Sequence, residues 1–167
     1  SDITFNGTDG DDTVDGSSGS DTLLGWGGND TFNISNKSGA FSDSIDGGTG
    51  TDTLNINYGI ALESFSSHTY NPSNETYTFT DANGGTIAFK NIETLNVNSE
   101  RWILLLGDSS TSNDWGSFCT GSSPYDGVIY TNDSSSWSST LSGLGKIILF
   151  DWDTTSDSNI TNFCVSQ

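Results

Sequence analysis

GSSGSDTLLGWGGNDTF, Gly16 to Phe32, carries one phrase twice at an interval of nine: a Gly-rich turn, then Asp, Thr and an apolar residue. The interval runs on in both directions. Residues 7–15 read GTDGDDTVD, 16–24 GSSGSDTLL and 25–33 GWGGNDTFN; after a four-residue insertion, Ile34 to Lys37, residues 38–46 read SGAFSDSID and 47–55 GGTGTDTLN. The sixth position is Asp in all five copies: Asp12, Asp21, Asp30, Asp43 and Asp52. The seventh is Thr or Ser, and the eighth is apolar: Val14, Leu23, Phe32, Ile45 and Leu54. Residues 1–6, SDITFN, form a partial copy, with Phe5 continuing the apolar series and Ile3 standing at the Asp position.

Each half of the phrase has a physical reading. Gly supplies a tight turn, because it alone takes positive φ freely. The Asp-Thr-apolar half is a short alternating strand. One turn plus one three-residue strand buries nothing alone; stacked copies place their eighth-position residues in an internal ladder. With two copies per coil, turns fall on two opposite edges. Asp12, Asp30 and Asp52 then stack on one edge, and Asp21 and Asp43 on the other. Carboxylates about 4.8 Å apart, the strand spacing, repel unless a cation lies between them. Glycyl carbonyls face the same gap, and carboxylate plus carbonyl oxygens suit Ca²⁺ better than the tightly hydrated Mg²⁺.

The pattern GGxGxDxUx resembles the nonapeptide of RTX (repeats-in-toxin) proteins, closely over residues 7–55. That resemblance implies a parallel β-roll with calcium between successive turns. The implied ligands are Asp12, Asp21, Asp30, Asp43 and Asp52, with carbonyls around Gly7, Gly10, Gly16, Gly19, Gly25, Gly28, Gly47 and Gly50. Asp9 and Asp11 add side chains on the first turn, and the count expected is about two to four ions. Copy four departs from the pattern, with Ser38 and Phe41 where Gly is expected, so its turn is expected to bind weakly or to be reshaped by the insertion before it.

Composition agrees with this reading. Of 167 residues 22 are acidic and 4 basic, a net charge of −18, which argues against nucleic acid and anionic membranes, since phosphate binding needs Lys and Arg. Disorder is the alternative for so acidic a chain, opposed by 11% aromatic residues and by apolar runs such as WILLLG and KIILFDW. Hydrophobic residues at 31% are too few for a thick core, so something besides core burial must help hold the fold. No run approaches the ~20 apolar residues of a membrane span. The absence of any Met and of a secretory signal suggests a mature or excised piece of a larger protein.

Three units are expected: the roll over 1–57, capping strands and a hairpin over 58–98, and a β-rich extension over 99–167. In the second, YTFTDANGGTIAFKNIETLNV is similar to the strand pair that often follows RTX repeats, with Asp81 to Gly85 as a hairpin turn. His68, in the polar stretch SSHTY, reads as a surface residue, and as the one histidine it nearly excludes a His-based triad or a multi-His zinc site. In the third unit, RWILLLG, VIY, KIILFDWD and NFCVS read as strands. Cys119 and Cys164 suit one disulfide closing a loop of about 45 residues; two buried free thiols are the alternative. Trp115 with Asn113 and Asp114, Tyr125 with Asp126, and Trp152 between Asp151 and Asp153 pair rings with polar groups as sugar sites do; core packing is the competing reading.

No catalytic constellation stands out. LLLGDSS (Leu104 to Ser110) has the local look of a serine-esterase block but lacks that family's later Asp-x-x-His, and no carboxylate pair marks glycoside hydrolysis. The sequence therefore reads as an all-β, extracellular, calcium-binding module without catalysis of its own. By the resemblance it belongs to a secreted or cell-surface protein and serves adhesion or attachment to polysaccharide or surface glycan. The alternative is a folding and secretion appendage of an upstream hydrolase, lyase, epimerase or toxin. The two cysteines are unusual for RTX proteins and put the usual one-step bacterial export route in question.

Overall fold

A computed structural model describes residues 1–107, 146–151 and 160–165. Among them are thirteen strands: β1 (Thr4–Asn6), β2 (Thr13–Asp15), β3 (Thr22–Leu24), β4 (Thr31–Ser35), β5 (Ser42–Asp46), β6 (Thr53–Asn57), β7 (Ser67–Asn71), β8 (Thr76–Thr80), β9 (Thr86–Lys90), β10 (Thr94–Val97), β11 (Glu100–Gly107), β12 (Lys146–Asp151) and β13 (Ile160–Val165). One 3₁₀ turn, Leu62–Ser64, interrupts them. Among the described residues no helix is long and apolar enough to cross a membrane.

Successive copies alternate between two parallel stacks. One stack runs β1–β3–β5–β9 and the other β2–β4–β6–β10. This is an all-β parallel roll, as the interval of nine requires. The eighth positions fall in register, Phe5–Leu23–Ile45 continuing to Phe89 in one stack, and Val14–Phe32–Leu54 continuing to Leu95 in the other. All but Phe5 are buried, and Phe5 packs against them at the end of the roll. The insertion at Ile34 to Lys37 widens the coil. Strands of three residues become strands of five, and a second inner row, Ile34–Ile56–Val97, opens beside the first. Along the outer face of the second stack a side-chain ladder runs from Asn96 to Asn55, Asn33 and Asp15, each amide donating to the preceding coil at 2.9–3.0 Å.

The stacks join at their far end. β7, β8 and β9 form an antiparallel meander, with Thr80 opposite Thr86 across the Asp81–Gly85 turn. β10 turns back into β11, β11 pairs in parallel with β12, and β13 bridges β12 to β7. The result is one thirteen-stranded sheet folded over on itself, with β1 and β2 as its two free edges and β13 at the fold. Three of the tail's four expected strands are thus present. VIY and Cys119 lie outside the described residues, and Cys164 is placed only as a backbone position on β13.

The expectation for His68 is corrected. SSHTY is not a surface loop but the start of β7, and strand alternation turns His68 and Tyr70 inward while Ser67 and Thr69 face outward. The His68 ring lies edge-on to Phe79 at 5.3 Å, and its Nε2 is 2.7 Å from the Leu62 carbonyl oxygen. It is a hydrogen-bonded core residue.

Candidate metal centre

The first edge of the roll carries the turns 7–12, 25–30 and 47–52. Their Asp residues are linked head to tail. Asp12 N–H donates to Asp30 Oδ1, and Asp30 N–H donates to Asp52 Oδ1, both at 2.8 Å. Asp52 N–H continues the series by donating to Glu93 Oε2 at 2.8 Å. Glu93 lies outside the nine-residue interval and is not among the expected ligands, although a signal for it is present: Glu93-Thr94-Leu95-Asn96-Val97 lies in register beside Asp52-Thr53-Leu54-Asn55-Ile56 and repeats its texture.

This ladder consumes one oxygen of each inner carboxylate and leaves the other. Asp30 Oδ2 and Asp52 Oδ2 are buried and accept no hydrogen bond. Buried polar atoms are nearly always paired, so two orphans in equivalent positions call for a missing partner. Main-chain carbonyls surround them. A Cβ on Gly7 would lie 2.5 Å from the Gly25 carbonyl oxygen and 2.7 Å from Asp12 Oδ2. One on Gly25 would lie 2.6 Å from the Gly47 carbonyl oxygen and collide with Asp30 Oδ2; one on Gly47 would collide with the Asn91 carbonyl and lie 2.6 Å from Asp52 Oδ2. The same pairing of carboxylate oxygen and next-coil carbonyl thus occurs three times.

First-position glycines are there for space rather than for φ. Positive φ is used at Gly28 (88°) and Gly50 (112°), where the turns stack on Gly10 and Gly28. Among the described residues no group of three or more His, Cys, Asp or Glu side chains could hold a metal by itself. An ion on this edge therefore draws on carbonyls as well as carboxylates, a donor set that fits Ca²⁺. Asp9 and Asp11 lie exposed on the first turn, and Asp11 Oδ1 accepts the Asn29 N–H at 2.8 Å.

The second edge, turns 16–21 and 38–43, is built differently. Asp21 N–H donates to Asp43 Oδ1 at 2.9 Å, the same ladder step, and Ile3 N–H donates to Asp21 Oδ1 at 3.1 Å. Ser17 caps Asp21 with both its N–H, at 2.7 Å, and its hydroxyl, as Thr8 caps Asp12 on the first edge with its N–H at 2.7 Å and its hydroxyl at 3.1 Å. Gly16 leaves room for Asp21 Oδ2, and Gly19 for Asp2. Lys37, from the insertion, enters between the two carboxylates.

The electrostatics separate the two kinds of carboxylate. Burial pushes the carboxyls of Asp30, Asp43 and Asp52 above the ordinary 3.8. Burial acts on Asp21 too, but the hydrogen bonds from Ser17, Ile3 and Lys37 outweigh it and hold its carboxyl below that value. A raised carboxyl binds its proton more tightly folded than unfolded. Its contribution to the metal-free fold is complete below the unfolded value and fades as pH climbs through the folded one. Asp21 contributes in the opposite sense, above the unfolded value, and loses this as pH falls through its lowered one. Calcium-stripped protein should therefore melt at a higher temperature near about pH 4 than at pH 7, and the loaded protein should show the reverse as protons compete for ligands. Melting curves of both forms across that range check it.

Of the tail candidates, Asn113, Asp114, Trp115, Tyr125, Asp126, Trp152 and Asp153 lie outside the described residues, and Asp151 is placed only as backbone at the end of β12. The structure instead exposes an aromatic that spacing alone does not single out. Trp26, second residue of its turn, is 57% exposed and holds φ of 70°.

Comparison with known proteins agrees on the repeat. Residues 4–33 and 37–55 match the family of the RTX calcium-binding nonapeptide repeat (4 copies). Residues 4–55 are thus RTX repeats, of a calcium-binding kind typical of secreted proteins. Among solved structures, the extracellular lipase LipA from Serratia marcescens is 32% identical over 57% of this chain, with a TM-score of 0.45. The matched part spans 14% of the lipase chain. No curated protein matches the chain.

Proposed function

We propose that this chain is a calcium-folded module of a larger secreted or cell-surface protein. The observation that carries the reading is the first edge, where two buried, unpartnered carboxylate oxygens recur beside carbonyls of the next coil. Asp12, Asp30 and Asp52 would hold the ions, with carbonyls of the turns that begin at Gly7, Gly25, Gly47 and Asn91. Bound there, Ca²⁺ supplies the positive charge that the ladder lacks. The protein's own part is to present oxygens at fixed spacing and to exclude water from them. Folding is then coupled to the calcium level: the chain stays loosely ordered where calcium is scarce and sets into a rigid roll outside the cell.

The module's further role is attachment. Trp26 forms one wall of a hollow of about 400 Å³ lined also by Leu24, Asp46, Thr49 and Asn91. An aromatic plate beside a carboxylate and an amide suits a sugar ring, which offers an apolar face and a rim of hydroxyls. The hollow lies on the calcium-bearing edge, so its shape depends on the ions. The alternative reading makes the module a folding and secretion appendage of a polysaccharide-active enzyme or toxin, with no ligand but calcium. A glycan array decides between them. Binding by calcium-loaded wild type, lost both in chelator and in Trp26→Ala, is the expected result. Absence of binding by the loaded chain favours the appendage, and binding unchanged in Trp26→Ala refutes this hollow.

A further inference from the structure

The second edge does not fit calcium as the first does, and the reason is one residue. Lys37 is the last residue of the insertion that breaks the nine-residue interval, and one of only 4 basic residues in the chain. It is buried. Its Nζ lies 3.2 Å from Asp21 Oδ2 and 3.4 Å from Asp43 Oδ2, and donates to the Ser17 carbonyl oxygen. Two sixth-position carboxylates from adjacent coils and one turn carbonyl are the kinds of oxygen that the first edge offers an ion. Here they converge on an ammonium. Asp43 Oδ2 accepts no hydrogen bond, yet the ammonium neutralises it across 3.4 Å. On the first edge the equivalent oxygens of Asp30 and Asp52 meet no cationic side chain among the described residues.

We propose that Lys37 takes the place of a calcium ion between the turns 16–21 and 38–43, so that the roll is loaded with metal along one edge only. The inference rests on the calcium reading of the first edge and sharpens it. An ammonium and a Ca²⁺ ion cannot share the space between the same oxygens, since calcium needs them at about 2.3–2.6 Å. Burial of both carboxylates and of the Lys37 side chain leaves no water to screen the pair, and the ammonium is held in place by its own chain. The insertion thus does two things: it widens the coil and it delivers a permanent counter-ion. Copy four, which lacks Gly at positions one and four, is the copy that needs no metal.

Calcium counts by calorimetric titration, with amine labelling of the same samples, test this. Asp21→Asn should bind as many ions as wild type, whereas Asp30→Asn should bind fewer. Lys37→Met should gain one ion. Lys37 should resist reductive methylation in the calcium-loaded protein, while Lys90, whose side chain is 43% exposed, reacts. A folded Asp21→Asn chain that loses an ion overturns the proposal and leaves the calcium reading standing. So does Lys37 that becomes as reactive as Lys90 in the loaded protein. If Lys37→Met does not fold, the Asp21→Asn count and the labelling still decide. A wild-type chain that binds no calcium overturns the calcium reading instead, and protection of Lys37 then decides alone whether the ammonium fills the second edge.

Discussion

Stripped of calcium at neutral pH, the chain is expected to lose much of its far-ultraviolet β signal and to melt at a markedly lower temperature, and to regain both signal and melting point when calcium, but not magnesium, is returned. The size of the effect follows from linkage. Two ions, each at a hundredfold excess over Kd, stabilise the fold by about 5 kcal/mol in total. Small domains are stable by only about 5–15 kcal/mol. The inner rows of this roll are one residue wide at the open end and two from β4 onward. A core that thin leaves little margin once the ladder's charges stand unneutralised. A melting point unmoved by chelator would contradict the entire account of the first edge.

The second large effect is a change of sign. Asp52 is buried, gives one oxygen to the Asp30 N–H and leaves the other without a hydrogen bond. Burial, and then the nearby charges of Glu93, Asp30 and Asp46, push its carboxyl up despite the hydrogen bond from Asp30. Asp52→Asn keeps an acceptor for Asp30 and replaces the unpartnered oxygen by an N–H aimed at a carbonyl-lined space. In chelator the variant should melt a few degrees higher than wild type, at about 2–4 °C per kcal/mol for a chain of this size. In calcium it should melt well below wild type, with affinity reduced at least about 100-fold, since loss of an outer-shell partner alone costs roughly 10–100-fold. Paired melting curves of the two proteins, with and without calcium, measure both halves. A variant less stable in both conditions would mean that Asp52 holds the fold by its hydrogen bond and not by its charge.

Much of this was legible in the sequence because the repeat is periodic. A strict interval turns one-dimensional spacing into three-dimensional register, so Phe32 could be placed beside Val14 and Leu54, and Asp30 beside Asp12 and Asp52, from counting alone. What breaks the interval was not legible. Lys37 reads as the last residue of a spacer, and only the folded coil shows it turning inward. Glu93 carries a sequence signal, ETLNV against DTLNI, but it stands 41 residues from its partner Asp52, so no period fixes its register. His68 sits in a polar stretch whose strand alternation shows only once β8 is paired beside it. The turn glycines were expected for their freedom of φ, but at Gly7, Gly25 and Gly47 the deciding factor is a neighbouring coil that a single sequence does not display.

The fold of the sheet upon itself at β13 has a mechanical consequence. Tension applied at the amino end meets β1 and β2 first, and pulls along the stacking axis, so the backbone bonds of one strand part in sequence and not all at once. That geometry yields at low force, one coil at a time. Each coil frees 18 or 22 residues, a step of about 60–75 Å of contour length. An ion clamped between two coils raises the force of the step that separates them and of no other. Stretched from its amino end, the module would act as a calcium-graded shock absorber, with the closed end at β13 the last to give way.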